Sequence, residues 1–145
     1  MFTKTILEQD YVHHTSHNSD IKYYFNKIDI KNNEKLVNLT ICIELPHNID
    51  WCENYKQNML KTFKIVANNH FCFNIQDYMF TNQEPDRDDQ NVYISIKPHD
   101  RFKFHMFIFE NVYTELVLRP MAVICTDSTQ TFRPMVKLLV DVENH

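Results

Sequence analysis

Leu36-Val37-Asn38-Leu39-Thr40-Ile41-Cys42-Ile43-Glu44-Leu45 is the stretch that sets the fold class. Val37, Leu39, Ile41, Ile43 and Leu45 fall on one side of an extended chain, and Asn38, Thr40, Cys42 and Glu44 fall on the other. Successive side chains of a strand point to opposite faces, so this period of two, rich in β-branched residues, predicts a half-buried strand. Pro46 ends it, because proline has no N–H to give to a ladder.

Similar runs on either side predict further strands at residues 2–7, 21–30, 71–79, 92–97, 102–109, 113–125 (bent near Pro120) and 132–142. Residues 11–20 read as a polar connection, Asn32-Asn33 as a turn, and 81–91 as the longest loop. The pattern changes after Pro46. Trp51, Tyr55, Met59, Phe63 and Val66 recur at i, i+4 and i+3, which is one stripe of a helix. Asp50 with Glu53 three residues on forms a capping-box pattern, and Asn68-Asn69 makes a left-handed stop. The spacing therefore predicts an amphipathic helix over 51–67. The strands are joined by connections too short for crossover helices, so they should pair antiparallel. The expected fold is a β-rich α+β domain spanning 1–145: an antiparallel β-sandwich or partly open barrel with that one helix packed on it.

Composition narrows the function classes. The 145 residues contain no glycine, where average usage would supply about ten. Walker A, G-x-G-x-x-G, kinase glycine-loop and G-x-S-x-G elements all need glycine where backbone approaches phosphate or takes positive φ, so each is excluded. The EF-hand loop goes for the same reason. Asn and Asp must make the tight turns instead. Eleven Phe and seven Tyr can fill a core without disulfides. Cys42, Cys52, Cys72 and Cys125 show no C-x-x-C spacing, no secretory leader pattern opens the chain, and no apolar run approaches a membrane span. The expectation is a non-secreted, intracellular protein of the cytoplasm or nucleus with free thiols and no membrane partner. Asn38-Leu39-Thr40 then carries no weight as a glycosylation acceptor. A net charge of −4 disfavours bulk nucleic-acid binding without excluding a local basic patch. The Asn, Lys, Ile, Tyr and Phe usage also fits an A/T-rich genome, viral genomes among them.

Several constellations could carry chemistry. His13, His14 and His17 have i, i+3 and i, i+4 spacings that could share a metal on a helix, although Thr15, Ser16, Asn18 and Ser19 make the stretch read as a solvated loop. Cys42, Cys52, His70 and Cys72 lack the tight knuckle spacing of zinc sites and read as core thiols. Cys52 near a helix start, paired with His47, is a remote nucleophile arrangement. Asp86-Arg87-Asp88-Asp89 reads as a charged loop tip. On a strand, Arg101, Lys103, His105 and Phe107 would share one face with Phe109, combining cations and rings as single-stranded nucleic-acid platforms do. The ordinary reading of that strand is a basic exposed half over an aromatic buried half. Leu138, Val140 and Val142 of the closing strand read as core or as a dimer edge.

These readings lead to a non-enzymatic interaction or structural protein, with no cofactor, acting through a β surface or strand edge on a protein partner or on itself. Two alternatives stand beside it. One is a single-stranded nucleic-acid module using the 101–109 strand, and the other is a metal- or His-dependent enzyme using His13, His14 and His17.

Overall fold

β1 (Phe2–His13) joins two halves of one sheet in a computed structural model that describes residues 1–13, 20–45, 58–67, 71–74, 80–83, 91–96, 98, 100–119 and 133–144. Phe2 to Leu7 pair with β9 (Met135–Asn144), whereas Glu8 to His13 pair with β2 (Ile21–Phe25). A register shift between Glu8 and Asp10 marks the change of partner. An extra residue in one strand bends it and tightens its twist, which lets a single strand serve two sheet directions.

On the β9 side lie β3 (Glu34–Glu44), β7 (Asn91–Ile96) and β6 (Phe80–Gln83). On the β2 side lie β8 (Asn111–Leu118), β4 (Leu60–Ala67) and β5 (Phe71–Asn74). The full order is β5-β4-β8-β2-β1-β9-β3-β7-β6, every neighbour is antiparallel, and the sheet curls into a half-barrel. Helix α1 (Arg101–Phe109) connects β7 to β8 and packs against β4 and β5. The molecule is a β-rich α+β protein, as the alternating pattern predicts.

The stretch that sets the fold class is β3, and Leu39, Ile41 and Ile43 point into the core as expected. Thr40 and Cys42 on the opposite face are also buried, because β9 and β7 flank them with Leu139, Lys137, Ser95 and Tyr93. The Asn32-Asn33 turn forms, closed by Glu34 N–H donating to the Lys31 carbonyl at 3.0 Å. One continuous apolar cluster draws on both halves of the sheet, including Tyr23, Phe25, Phe63, Ile65, Leu116 and Ile94, with Phe104 and Ile108 arriving from α1.

Two stretches differ from the sequence expectation, one strand where a helix is expected and one helix where a strand is expected. Of the expected 51–67 helix, Asn58 is helical, residues 60–67 are strand β4, and 51–57 lie outside the described residues. Phe63, Ile65 and Ala67 face the core and Thr62, Lys64 and Val66 face away, so period two competes with the helical stripe through the same residues. β-Branched Thr62, Ile65 and Val66 favour the strand, and pairing on both sides completes it. The expected strand over 102–109 is α1 instead. Asp100 supplies the start: with φ −121° and ψ 102° its side chain accepts from Lys103 N–H at 3.0 Å, an N-cap geometry.

Candidate interaction surface

α1 is held from both ends and underneath. At its end Glu110 N–H donates to the Met106 carbonyl at 2.9 Å. The next residue, Asn111, is 2% exposed and acts as a rivet. Its Oδ1 accepts from Ile28 N–H at 3.0 Å, and its Nδ2 donates to the Ile28 carbonyl at 2.8 Å and to the Ile108 carbonyl. These bonds fix the helix C-terminus to the segment that follows β2. Inward-facing Phe104 and Ile108, at i and i+4, complete the seat.

The helical geometry redistributes the four residues Arg101, Lys103, His105 and Phe107. At about 100° per residue, a step of two turns the side chain by about 200°. Arg101 and His105 therefore share one flank, and Lys103 and Phe107 share the other. The single basic-aromatic face that alternation predicts does not form.

The Arg101 flank looks towards β3. A cavity of about 170 Å³ there is lined by Leu36, Val37, Asn38, Ile96, Pro98, Arg101 and Phe104. β3 outruns β7 at this place: its pairing with β7 begins at Leu39–Ile96, while its pairing with β9 continues to Glu34. Leu36 N–H is met by His105 Nδ1 at 3.5 Å, so an imidazole from α1 stands where a strand neighbour is missing. That contact requires Nδ1 to carry no proton. The His105 ring also stacks on Phe109 at 6.4 Å between centroids. Such a cavity is closer to the size of one benzene-sized group than of a nucleotide or extended cofactor.

The other flank is open. Lys103, Met106, Phe107 and Glu110 line a shallow depression of about 210 Å³. Met106 is 38% exposed, and Phe102, one turn before it, is 74% exposed. Phe107 leans from this flank onto the core. Phe102 and Met106, one turn apart, leave adjoining apolar surface in water on a helix fixed to the core, and contiguous exposed apolar surface of this kind marks contact sites.

A second polar knot sits at the bend of β1. Glu8 accepts from Val136 N–H at 2.9 Å and pairs with Arg133, whose guanidinium lies 3.6 Å from the Tyr11 ring centroid. Tyr23 donates its phenolic proton to the Pro134 carbonyl at 2.6 Å. Burial lowers the Arg133 pKa, and Glu8 supplies the opposing charge. The cluster ties the chain entering β9 to the two strands that β1 bridges, which is a structural role.

The remaining expected sites scatter. His13 ends β1 opposite Ile21, whereas His14 and His17 lie outside the described residues. Cys42 is a buried free thiol, and Cys72 is opposite Val66 in β5; Cys52, His47, His70 and Asp86 to Asp89 lie outside the described residues. Among the described residues no group of three or more His, Cys, Asp or Glu is arranged to hold a metal ion. Leu138, Val140 and Val142 are core rather than edge: β9 has β1 on one side and β3 on the other, and all three side chains are fully buried. Among the described residues the sheet ends instead at β5 and β6, each four residues long. Asn38 and Thr40 of the sequon hydrogen-bond each other at 3.2 Å, and Ser95 donates to Asn38 at 3.1 Å.

What fold and surface define together is a β-rich α+β half-barrel whose helix α1 is riveted to the core and leaves Phe102 and Met106 exposed. No protein-family model matches the chain, and no curated protein matches its sequence. No helix among the described residues is long and apolar enough to cross a membrane.

Proposed function

We propose that this is a non-enzymatic interaction protein that self-associates through the sheet end formed by edge strand β5 and the helix packed against it. The observation that carries the reading is the 74% exposure of Phe102 on a helix whose opposite side is fixed in the core. An edge strand adds a second attraction, since its outer row of backbone groups can pair with another chain. A free Cys42 thiol supports placing the protein in a reducing compartment.

Size-exclusion chromatography with light scattering, read at 260 and 280 nm across the peak, tests this. Assembly above the 17.5 kDa monomer with no excess at 260 nm is the expected result. A monomer at every concentration refutes it. A monomer that carries nucleic acid through moderate salt refutes it in favour of the nucleic-acid alternative.

A further inference from the structure

We propose that the cavity between α1 and the overhanging start of β3 binds a small monocarboxylate whose apolar body is about the size of one benzene ring. The site goes beyond the self-association proposed above and does not depend on it.

The cavity exists because two neighbouring strands differ in reach. β3 pairs with β9 from Glu34 onward, but its pairing with β7 begins only at Leu39–Ile96, so no β7 residue lies opposite Leu36, Val37 and Asn38. A register shift against β9 falls at the same place, between Leu36 and Asn38. Such an irregularity bends a strand and re-aims its side chains. α1 follows β7 and sets Arg101 and Phe104 over the gap, and Pro98 reaches it from the connection between them. What remains is a space of about 170 Å³.

The walls set the chemistry of the ligand. Leu36, Val37, Ile96, Pro98 and Phe104 are apolar. Of the two polar side chains that line the space, Asn38 is engaged elsewhere: its Nδ2 donates to Thr40 at 3.2 Å and its Oδ1 accepts from Ser95 at 3.1 Å. Arg101 is exposed and makes no ion pair among the described residues. An apolar cavity of about 150 Å³ takes up one benzene molecule, so a ring or a short branched chain fits here and a nucleotide does not. A guanidinium at the rim matches one carboxylate, since both groups are planar and can share two hydrogen bonds. A dianionic phosphate would keep one charge without a counter-charge among the described residues. An exposed ion pair alone holds a ligand weakly, and burial of the apolar body supplies the affinity that the pair lacks.

Benzoate is the probe, titrated into the protein and followed by backbone amide chemical shifts. The shifts should be confined to Leu36, Val37, Ile96, Arg101 and Phe104, with a dissociation constant below about 1 mM. Arg101→Gln should weaken benzoate about fivefold or more, and benzamide, which has the same shape without the charge, should bind the wild type more weakly by a similar factor. Val37→Phe, which fills the space, should abolish binding, with the amide spectrum checking that the variant is folded. Should that variant fail to fold, the exposed Arg101→Gln and the benzamide comparison still decide the matter. No localised shift up to about 10 mM benzoate overturns the site. Benzamide binding as tightly as benzoate, in the wild type and in Arg101→Gln alike, overturns the carboxylate assignment. Acetate binding as tightly as benzoate overturns the apolar half of the site.

Discussion

Replacing Asn111 by Ala should be the most damaging single polar deletion among the described residues. The side chain is 2% exposed and makes three hydrogen bonds, two to the backbone of Ile28 and one to the Ile108 carbonyl. An intramolecular hydrogen bond contributes about 1 kcal/mol net, so the three together stabilise by about 3 kcal/mol. The deletion also leaves a buried donor behind. Ile28 N–H would stay buried with its side-chain partner removed, and such a group costs about 1–3 kcal/mol on its own account. The expected loss is about 4–6 kcal/mol, a large part of the about 5–15 kcal/mol that a protein of this kind has in total. In a thermal melt the loss is a shift of roughly 10 °C or more. Urea unfolding followed by tryptophan fluorescence and circular dichroism measures it directly. Amide exchange supplies the local readout, because Ile28 N–H should change from strongly protected to fast. Asn111→Asp should be at least as harmful, since a carboxylate can still accept from Ile28 N–H but repels the Ile28 and Ile108 carbonyls that the amide now bonds. A loss below about 1 kcal/mol with Ile28 still protected would refute the rivet, and with it the claim that α1 is rigidly held.

Other expectations follow from single side chains. Glu34 accepts from Lys4 Nζ at 2.6 Å and from Lys31 N–H at 2.8 Å, and these two bonds, the Lys4 one first, hold its carboxyl below the usual carboxylate value. A depressed folded pKa contributes stability that is present above the unfolded value near pH 4.3 and is lost as pH falls through the folded value. Glu34→Gln should therefore lower stability at neutral pH and flatten that acid limb; an unchanged limb in acid titrations followed by circular dichroism would exclude the role. Burial pushes the Cys42 thiol above its ordinary pKa, so it should stay unreactive to a thiol reagent at pH 8 in the native protein and react at once in denaturant. Mass mapping of the labelled residue decides the point, and rapid native labelling of Cys42 would contradict its placement between β9 and β7.

The fold class was legible in the residues because alternation is a local signal. Residues 36–45, 92–97 and 132–142 each expose apolar and polar faces at period two, and they appear as β3, β7 and β9. The absence of glycine likewise speaks without any structure, by excluding whole families of phosphate-binding and nucleophile loops. The two stretches that differ mark where local signals fail. Residues 59, 63 and 66 fit a helical stripe, while 63, 65 and 67 fit a strand, and only pairing with β8 and β5 decides between them. At 101–109 alternating cations and rings imitate a strand, and the better clue was Asp100, a capping residue just ahead of a run with apolar side chains at 104 and 108. The candidate surface depended on that decision, because a step of two residues keeps side chains together on a strand and separates them on a helix. Phe102, Met106 and Glu110 acquired their meaning only once α1 was in place. The closing strand shows the same division: its sequence offers core and edge alike, and strand order, a property of the whole chain, places β9 in the middle of the sheet. Periodicity depends on near neighbours and survives in the sequence. Strand order, partner choice and the outward side of a helix depend on contacts between residues far apart in the chain, and only the tertiary structure decides them.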